Sequence, residues 1–404
     1  MQPEVNIGLV GHVDHGKTTL TEKLSGKWTD THSEEIKRGI TIRLGYADAV
    51  FRKCEKCEEY TVQDKCEKCG SDTVVLRKVS FVDAPGHESL MATMLAGATI
   101  MDGAYLLVAA NEDCPLPQTR EHLMALKIIG IENIVVVQNK IDLVDDAEAL
   151  RNHNQIREFL KGTRYEKAPI IPMAARYGVN ISSLIQATQE TIPTPQRDSS
   201  KSPLLFVARS FDVNRPGTDI PKILGGVLGG SLKQGILKVG DEIEIRPGHL
   251  VEQRNQKVHV PIKTKVNGLM TGSAKVDQIL PGGSVGVLTL LDPSIVKSDS
   301  LTGSVVGHPG LLPPTRNSLT LEINLLKRVV GAKDNLLVEP IKPNEPLMLN
   351  VNSAATVGVV TQLRKDQFDC NLKIPVCAET GARVTISRRV DNRWRLIGYG
   401  VIKD

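Results

Sequence analysis

The octapeptide Gly11-His12-Val13-Asp14-His15-Gly16-Lys17-Thr18 constrains this 404-residue chain more than any other stretch. It fits G-x-x-x-x-G-K-[ST], a loop whose backbone N–H groups surround two phosphates while the lysine adds charge and the hydroxyl takes Mg²⁺. Such a loop works between a strand and a helix. Val5-Asn6-Ile7-Gly8-Leu9-Val10 reads as a short buried strand ahead of it, and Thr18 to Leu24 spaces its leucines as a helix does. Val13, Asp14, His15, Gly16, Lys17, Thr18 and Thr19 are therefore candidate nucleotide-binding residues. The rings of His12 and His15 are expected to pack around the loop and not to ligate metal.

Downstream, Val79 to Val82, Ala104 to Ala110 and Asn133 to Gln138 are apolar without period-two alternation, as strands covered on both faces are. Ser89 to Ala98, Thr119 to Ile129 and Leu150 to Leu160 have helical spacing between them. The expectation is an α/β domain over residues 1–197, a mostly parallel sheet wrapped by helices. Ile192 to Pro203 is polar and proline-bounded, a linker by composition. Beyond it, short alternating segments such as Asp241 to Ile245, Ser284 to Leu291, Leu319 to Leu325 and Arg383 to Ser387 are separated by Gly and Pro turns. Two all-β units, expected as barrels, follow over 203–312 and 313–404, joined near Leu311-Leu312-Pro313-Pro314.

A chain of this length exceeds what one core serves, which agrees with three domains. Its 41% hydrophobic and 24% charged residues are ordinary for a soluble protein. No run of about 18 apolar residues occurs, and Met1-Gln2-Pro3-Glu4 lacks a basic-then-apolar leader, so a cytoplasmic protein without a membrane partner is expected. The net charge of +4 is unevenly placed. Residues 1–202 carry 24 Lys and Arg against 28 Asp and Glu; the remainder carries 26 against 18 and is the better candidate for meeting a polyanion. Arg209, Lys222, Lys233, Arg388, Arg389, Arg393 and Arg395 are candidate phosphate partners there, with solvated strand faces as the other reading. Trp394 would stack on a base or pack in the core.

Asp83-Ala84-Pro85-Gly86-His87 follows an apolar run, which places Asp83 at the end of a parallel strand, where such sheets bind ligands. A carboxylate there can hold the Mg²⁺ that Thr18 contacts, and Gly86 offers an N–H that approaches a terminal phosphate closely. Asn139-Lys140-Ile141-Asp142 directly follows another strand. Asp142 can accept from the N1–H and exocyclic amine of guanine, which adenine does not present; Asn139 can bond the base edge and its loop, and the stem of Lys140 can cover the base face. Three motifs in this order, each at a strand end, define a guanine-nucleotide site.

Cys54, Cys57, Cys66 and Cys69 form C-x₂-C-x₈-C-x₂-C, whereas Cys114, Cys370 and Cys377 stand alone and read as buried or incidental. Two CxxC turns give tetrahedral Zn²⁺ a closed structural site. An insert over 52–76 holds too little apolar surface to fold unaided, so the metal supplies most of its stability.

These motifs resemble those of the translational GTPases related to elongation factor Tu, whose phosphate loop also reads GHVDHGKT and whose second switch reads DxPGH. Arg38-Gly39-Ile40-Thr41-Ile42 resembles their first switch. The resemblance implies that Thr41 closes over Mg²⁺ and the γ-phosphate, that His87 positions the attacking water, and that a second Mg²⁺ sits near Asp14 and the carbonyl of Gly39. Asp14 bracing its own loop is the other reading. Met173-Ala174-Ala175 stands where these proteins commonly carry Ser-Ala. The N–H of Ala175 can still meet the guanine carbonyl, but a bracing hydroxyl is missing at Ala174, and weaker nucleotide affinity is expected.

The zinc insert, together with Trp28-Thr29-Asp30-Thr31-His32-Ser33, is similar to the gamma subunits of archaeal and eukaryotic initiation factor 2. So are Ser210 to Gly217, Gly225 to Gly230, Arg328 to Gly331 and Trp394 to Gly400. A start at Met1 without a long extension resembles the archaeal form. That likeness implies a slow GTPase, with GTP or GDP, Mg²⁺ and Zn²⁺ bound, that carries methionylated initiator tRNA to the small ribosomal subunit beside alpha and beta subunits. A GTPase subunit of sulfate adenylyltransferase has the same domain plan and is the alternative. A selenocysteine-specific elongation factor, which carries a further C-terminal domain beyond a chain ending like this one at Asp404, is another.

Overall fold

A computed structural model describes residues 1–30, 35, 41–253, 256–330, 336–390 and 393–404. Gly39, expected at the first switch and at a second Mg²⁺, lies outside them. The chain divides into two compact units, one over Pro3–Pro195 and one over Gln196–Arg328 with Leu337–Asp404.

The first unit is built on strands β1 (Val5–Gly11), β2 (Gly45–Lys53), β3 (Tyr60–Thr61), β4 (Val74–Asp83), β5 (Gly103–Ala109), β6 (Ile134–Asn139) and β7 (Ile170–Pro172). Its helices are α1 (Lys17–Ser25), α2 (Met91–Ala98), α3 (Pro117–Ile129), α4 (Asp146–Leu160) and α5 (Ile181–Thr191). The sheet order is β3-β2-β4-β1-β5-β6-β7, with β4, β1, β5, β6 and β7 parallel and β2 and β3 antiparallel at one edge. Residues of β1, β5 and β6 are buried throughout, as their unbroken apolar runs require. Phe51, Phe81 and Tyr105 meet in the core at ring separations of 6.3 and 6.1 Å.

Two local departures have physical causes. The helix expected from Ser89 begins as a 3-10 turn over Glu88–Leu90 and becomes α-helical only at Met91, because Ser89 N–H turns back to the His87 ring. Strand β4 starts at Val74, earlier than the apolar run, because β2 offers it an antiparallel partner from Lys53 to Gly45. Strand β2 itself alternates buried and half-buried positions, and neither it nor α5 stands out as a single buried run.

The second unit holds two barrels. Strands β8 (Leu204–Phe211), β9 (Val227–Gln234), β10 (Leu237–Lys238), β11 (Glu242–Gln253), β12 (Gln256–Thr271), β13 (Ala274–Val276), β14 (Gln278–Ile279), β15 (Val285–Thr289) and β16 (Val305–Gly307) make the first. Pairing of β11 with β12 closes β11-β16-β8-β9-β15-β12 into a six-strand ring. The second barrel closes β17 (Thr315–Leu325), β20 (Gln367–Cys377), β19 (Ala354–Leu363), β18 (Pro346–Val351), β21 (Arg383–Val390) and β22 (Arg393–Lys403) in that order. Val305, Leu312 and Cys377, with Leu204 and Phe206, form a small shared cluster between the barrels.

Several basic residues of this unit are spent internally. Arg209 Nε donates to Asp299 at 2.9 Å, Arg388 pairs with Glu345 and donates to the carbonyls of Glu339 and Pro340, and Arg395 is buried. Lys222 pairs with Asp219 on the surface. Cys114, Cys370 and Cys377 are buried.

Candidate functional site

The phosphate loop joins β1 to α1. Gly16 has φ 90°, and a Cβ there would lie 2.3 Å from Asn139 Nδ2, so conformation and space both demand glycine. Lys17 is buried beneath the loop, its Nζ donating to the carbonyls of Gly11 (3.1 Å) and His12 (2.6 Å). Burial lowers its pKa to about 8, against the opposing pull of Asp83, Asp14 and Asp30.

The loop is braced from behind by residues that no motif names. Gly11 N–H donates to His122 Nδ1 at 2.8 Å, and burial pulls that imidazole down to about 3, so it stays a neutral acceptor. The His15 ring is also buried, facing Leu107 O at 3.0 Å and Glu112 Oε2 at 3.3 Å, with its pKa lowered to about 4 by burial. His15 therefore offers the pocket its backbone only. The His12 ring packs on it, 5.2 Å between centroids.

At the cation end, Thr18 Oγ1 donates to Asp83 Oδ2 (2.9 Å) and lies 3.2 Å from Thr41 Oγ1. Asp30 Oδ2 accepts from Thr41 Oγ1 at 3.2 Å and lies 3.3 Å from Thr18 Oγ1, and Thr29 Oγ1 donates to Asp83 Oδ2 at 2.6 Å. Asp83 is fully buried and burial raises its pKa to about 6; among the described residues its Oδ1 and Asp30 Oδ1 have no partner. Two orphaned carboxylate oxygens beside two hydroxyls are an oxygen-rich set that suits Mg²⁺. Glu35 accepts from Ile42 and Arg43 N–H at 3.1 and 2.9 Å, just after Thr41.

At the other end, Asn139 is a brace. Its Nδ2 donates to His15 O at 2.9 Å, and its Oδ1 accepts the Ala175 N–H at 3.0 Å. The amide ties the phosphate loop to the loop after β7, and a base carbonyl reaching Ala175 would share that donor. Despite the missing hydroxyl, the Ala174 loop is closed by backbone bonds from Tyr177 and Val179 N–H to Ala174 O. Lys140, at φ 63°, turns the chain so that Asp142 stands exposed on the pocket wall.

These parts surround one cavity of about 500 Å³, lined by Val13, Asp14, Gly16 to Thr19, Thr41, Gly86, His87, Asn139, Lys140, Asp142 and Ala175 among others. His15, Asp83 and Ala174 lie behind that lining. A Cβ on Gly86 would come within 2.6 Å of Lys17 Nζ and 3.0 Å of Val13 N, so only glycine lets the second switch approach the phosphate loop. His87 Nδ1 accepts the Ser89 N–H at 3.2 Å and sits 2.7 Å from Ser89 Oγ. A neutral ring held this way carries its proton on Nε2.

In the insert between β2 and β4, the Sγ atoms of Cys54, Cys57, Cys66 and Cys69 lie within 4.8 Å of one another. Cys54 and Cys69 Sγ are 3.6 Å apart, far beyond a disulfide and near the edge of a tetrahedron with bonds of about 2.3 Å. Hydrogen bonds from Ser71 pull the Cys69 thiol down to about 6, while its sulfur neighbours push Cys57 up to about 12. Four thiolates cannot share this space without a cation, and Zn²⁺ fits the donor set. The insert is anchored to the domain through Tyr60 N–H and Ser182 Oγ at 3.0 Å.

Comparison with known proteins agrees with this geometry. A model of the elongation factor Tu GTP-binding domain matches residues 2–194, and one of the initiation factor eIF2 gamma C-terminal region matches residues 317–402. Translation initiation factor 2 subunit gamma of Methanococcus vannielii is 60% identical over 404 residues, spanning 99% of this chain and 98% of that protein. The chain belongs to the translation initiation factor 2 gamma-subunit family. It is a translational GTPase. The gamma subunit of Methanothermobacter thermautotrophicus is also 60% identical, spanning 100% of this chain and 99% of its own. Among solved structures, bacterial selenocysteine-specific elongation factor EF-Sec superposes with TM-score 0.75 at 24% identity, over 99% of this chain and 58% of that one. Elongation factor SelB from Methanococcus maripaludis, solved with the GTP analogue GppNHp, gives 0.72 at 24%, over 100% and 79%. At that identity these two share the fold, so neither the selenocysteine reading nor the sulfate-activation reading is favoured over the gamma-subunit family.

Proposed function

We propose that this chain binds methionylated initiator tRNA in its GTP state, delivers it to the small ribosomal subunit with alpha and beta subunits, and releases it after hydrolysis. Identity to gamma subunits along the whole length, nucleotide domain and barrels together, carries the reading. Work in the cytoplasm follows from a role in translation; among the described residues, no helix is long and apolar enough to cross a membrane.

In this mechanism the backbone of Val13 to Thr19 and Lys17 hold the phosphates, and Asn139, Lys140, Asp142 and the Ala175 loop hold guanine. Thr18, Thr41, Asp83 and Asp30 would hold Mg²⁺, which would neutralise charge on the phosphoryl oxygens. Thr41 and Gly86 sense the terminal phosphate and pass its presence to the switch loops. With Nδ1 occupied by Ser89 N–H, His87 orients water by donating from Nε2. Asp14 lines the cavity in a left-handed conformation, and its carboxylate would be a ligand of a second Mg²⁺.

Retention of initiator and elongator methionyl-tRNA, with GTP analogue and with GDP, alone and with alpha subunit, tests the function. Selective retention of the initiator with the analogue is expected. Binding that ignores the nucleotide overturns the carrier reading, and GTP-stimulated adenylyl sulfate formation would revive the alternative. His87→Ala is expected to leave GTP affinity within about twofold while slowing ribosome-stimulated hydrolysis by about 10²-fold or more, the scale of a lost water-positioning group. A large affinity loss would make His87 a structural residue.

A further inference from the structure

The cavity wall carries a large aromatic side chain that the phosphate, metal and base readings do not use. Trp28 lines the same cavity as Thr18, Thr19, Asp142 and Leu143, yet its side chain is 46% exposed. On one side Thr29 Oγ1 donates to the buried Asp83, and on the other the exposed Lys27 reaches Tyr46 O with its Nζ at 2.9 Å. The Thr29 bond anchors the residue that follows the indole, and Trp28 lies on the cavity lining. Leaving so much aromatic surface in water costs free energy that a bound apolar face would recover.

We infer that Trp28 is a nucleotide-contact residue, its indole covering the nucleoside part of the bound guanine nucleotide. This rests on the nucleotide site described above. The phosphates already have Lys17 and the loop N–H groups, and an indole offers a polyanion one donor at most. The ribose and purine faces are the part of the ligand that gains by covering an exposed ring. Leu143, 61% exposed on the same lining, is the other large aliphatic surface available to them.

The chain has two tryptophans, so Trp394→Phe leaves Trp28 as the sole emitter. With that variant, GDP and guanosine are expected to shift Trp28 emission, and inorganic pyrophosphate is not. Trp28→Ala is expected to raise the Kd for GDP about tenfold, the scale of one lost base-stacking contact, with Trp28→Phe in between. Pyrophosphate shifting the emission as GDP does, with guanosine silent, would overturn the inference and make Trp28 a reporter of loop closure. So would an unchanged Kd in Trp28→Ala. Calorimetry of the unaltered chain with GDP separates the two failures: no heat of binding removes the nucleotide site itself, whereas normal binding with a silent Trp28 removes only this contact.

Discussion

Asp142→Asn is expected to weaken GDP binding by about 10²- to 10⁴-fold and to create affinity for xanthosine diphosphate. The carboxylate stands exposed on the cavity wall, placed by the Lys140 turn and the 3-10 segment Ile141–Leu143. In the proposed nucleotide site it accepts from the guanine N1–H and the 2-amino group. Each charge-assisted bond contributes about 1.5–3 kcal/mol, and every 1.4 kcal/mol is tenfold in Kd. Asparagine replaces one acceptor by a donor, which suits the 2-carbonyl of xanthine. Competition between guanine and xanthine nucleotides measures it. Unchanged discrimination would remove Asp142 from base recognition.

Cys54→Ser is expected to release zinc and unfold the insert while the nucleotide domain stays folded. Cys54 and Cys66 are buried, and the apolar contacts tying the insert to the domain come from Tyr60 and Val62. Against this small surface, zinc in comparable finger peptides supplies about 10–16 kcal/mol at neutral pH. Metal analysis should find zinc in the unaltered chain and almost none in the variant, and hydrogen exchange between Cys54 and Thr73 should lose protection. Full protection after metal removal would show that hydrogen bonds such as Tyr60 to Ser182 suffice, and the structural-metal reading would fall.

Much of the site was legible because its chemistry is local. Gly16, Lys17 and Thr18 are consecutive, as are Asp83 to His87 and Asn139 to Asp142, and each segment comes at or soon after the end of a strand whose apolar run is visible by itself. The cysteine quartet declares its spacing in the same way. Less legible were residues whose role depends on partners far along the chain. Thr29 joins the cation cluster through its bond to Asp83, 54 positions away, Asp30 joins it through the hydroxyls of Thr18 and Thr41, and His122 braces a loop 111 positions earlier. The candidate phosphate partners in the barrels had two readings in sequence, and for Arg209 and Arg388 the structure adds a carboxylate partner far along the chain, Asp299 and Glu345.

The sequence by itself determined which chemistries the chain carries: a phosphate loop, a base-reading loop, two switch segments and a four-thiol metal site, each set by side-chain type at fixed short spacing. The tertiary structure alone decided how they act together. Placing β1 between β4 and β5 brings the ends of four parallel strands to one edge, which turns separate motifs into one cavity. It also made Asn139 a brace between loops, turned the Ser89 N–H onto His87 Nδ1 and left Trp28 on the cavity lining. The physical reason is that hydrogen-bond partners and burial belong to pairs of residues distant in the chain, and no local pattern encodes which distant pair the sheet will bring together.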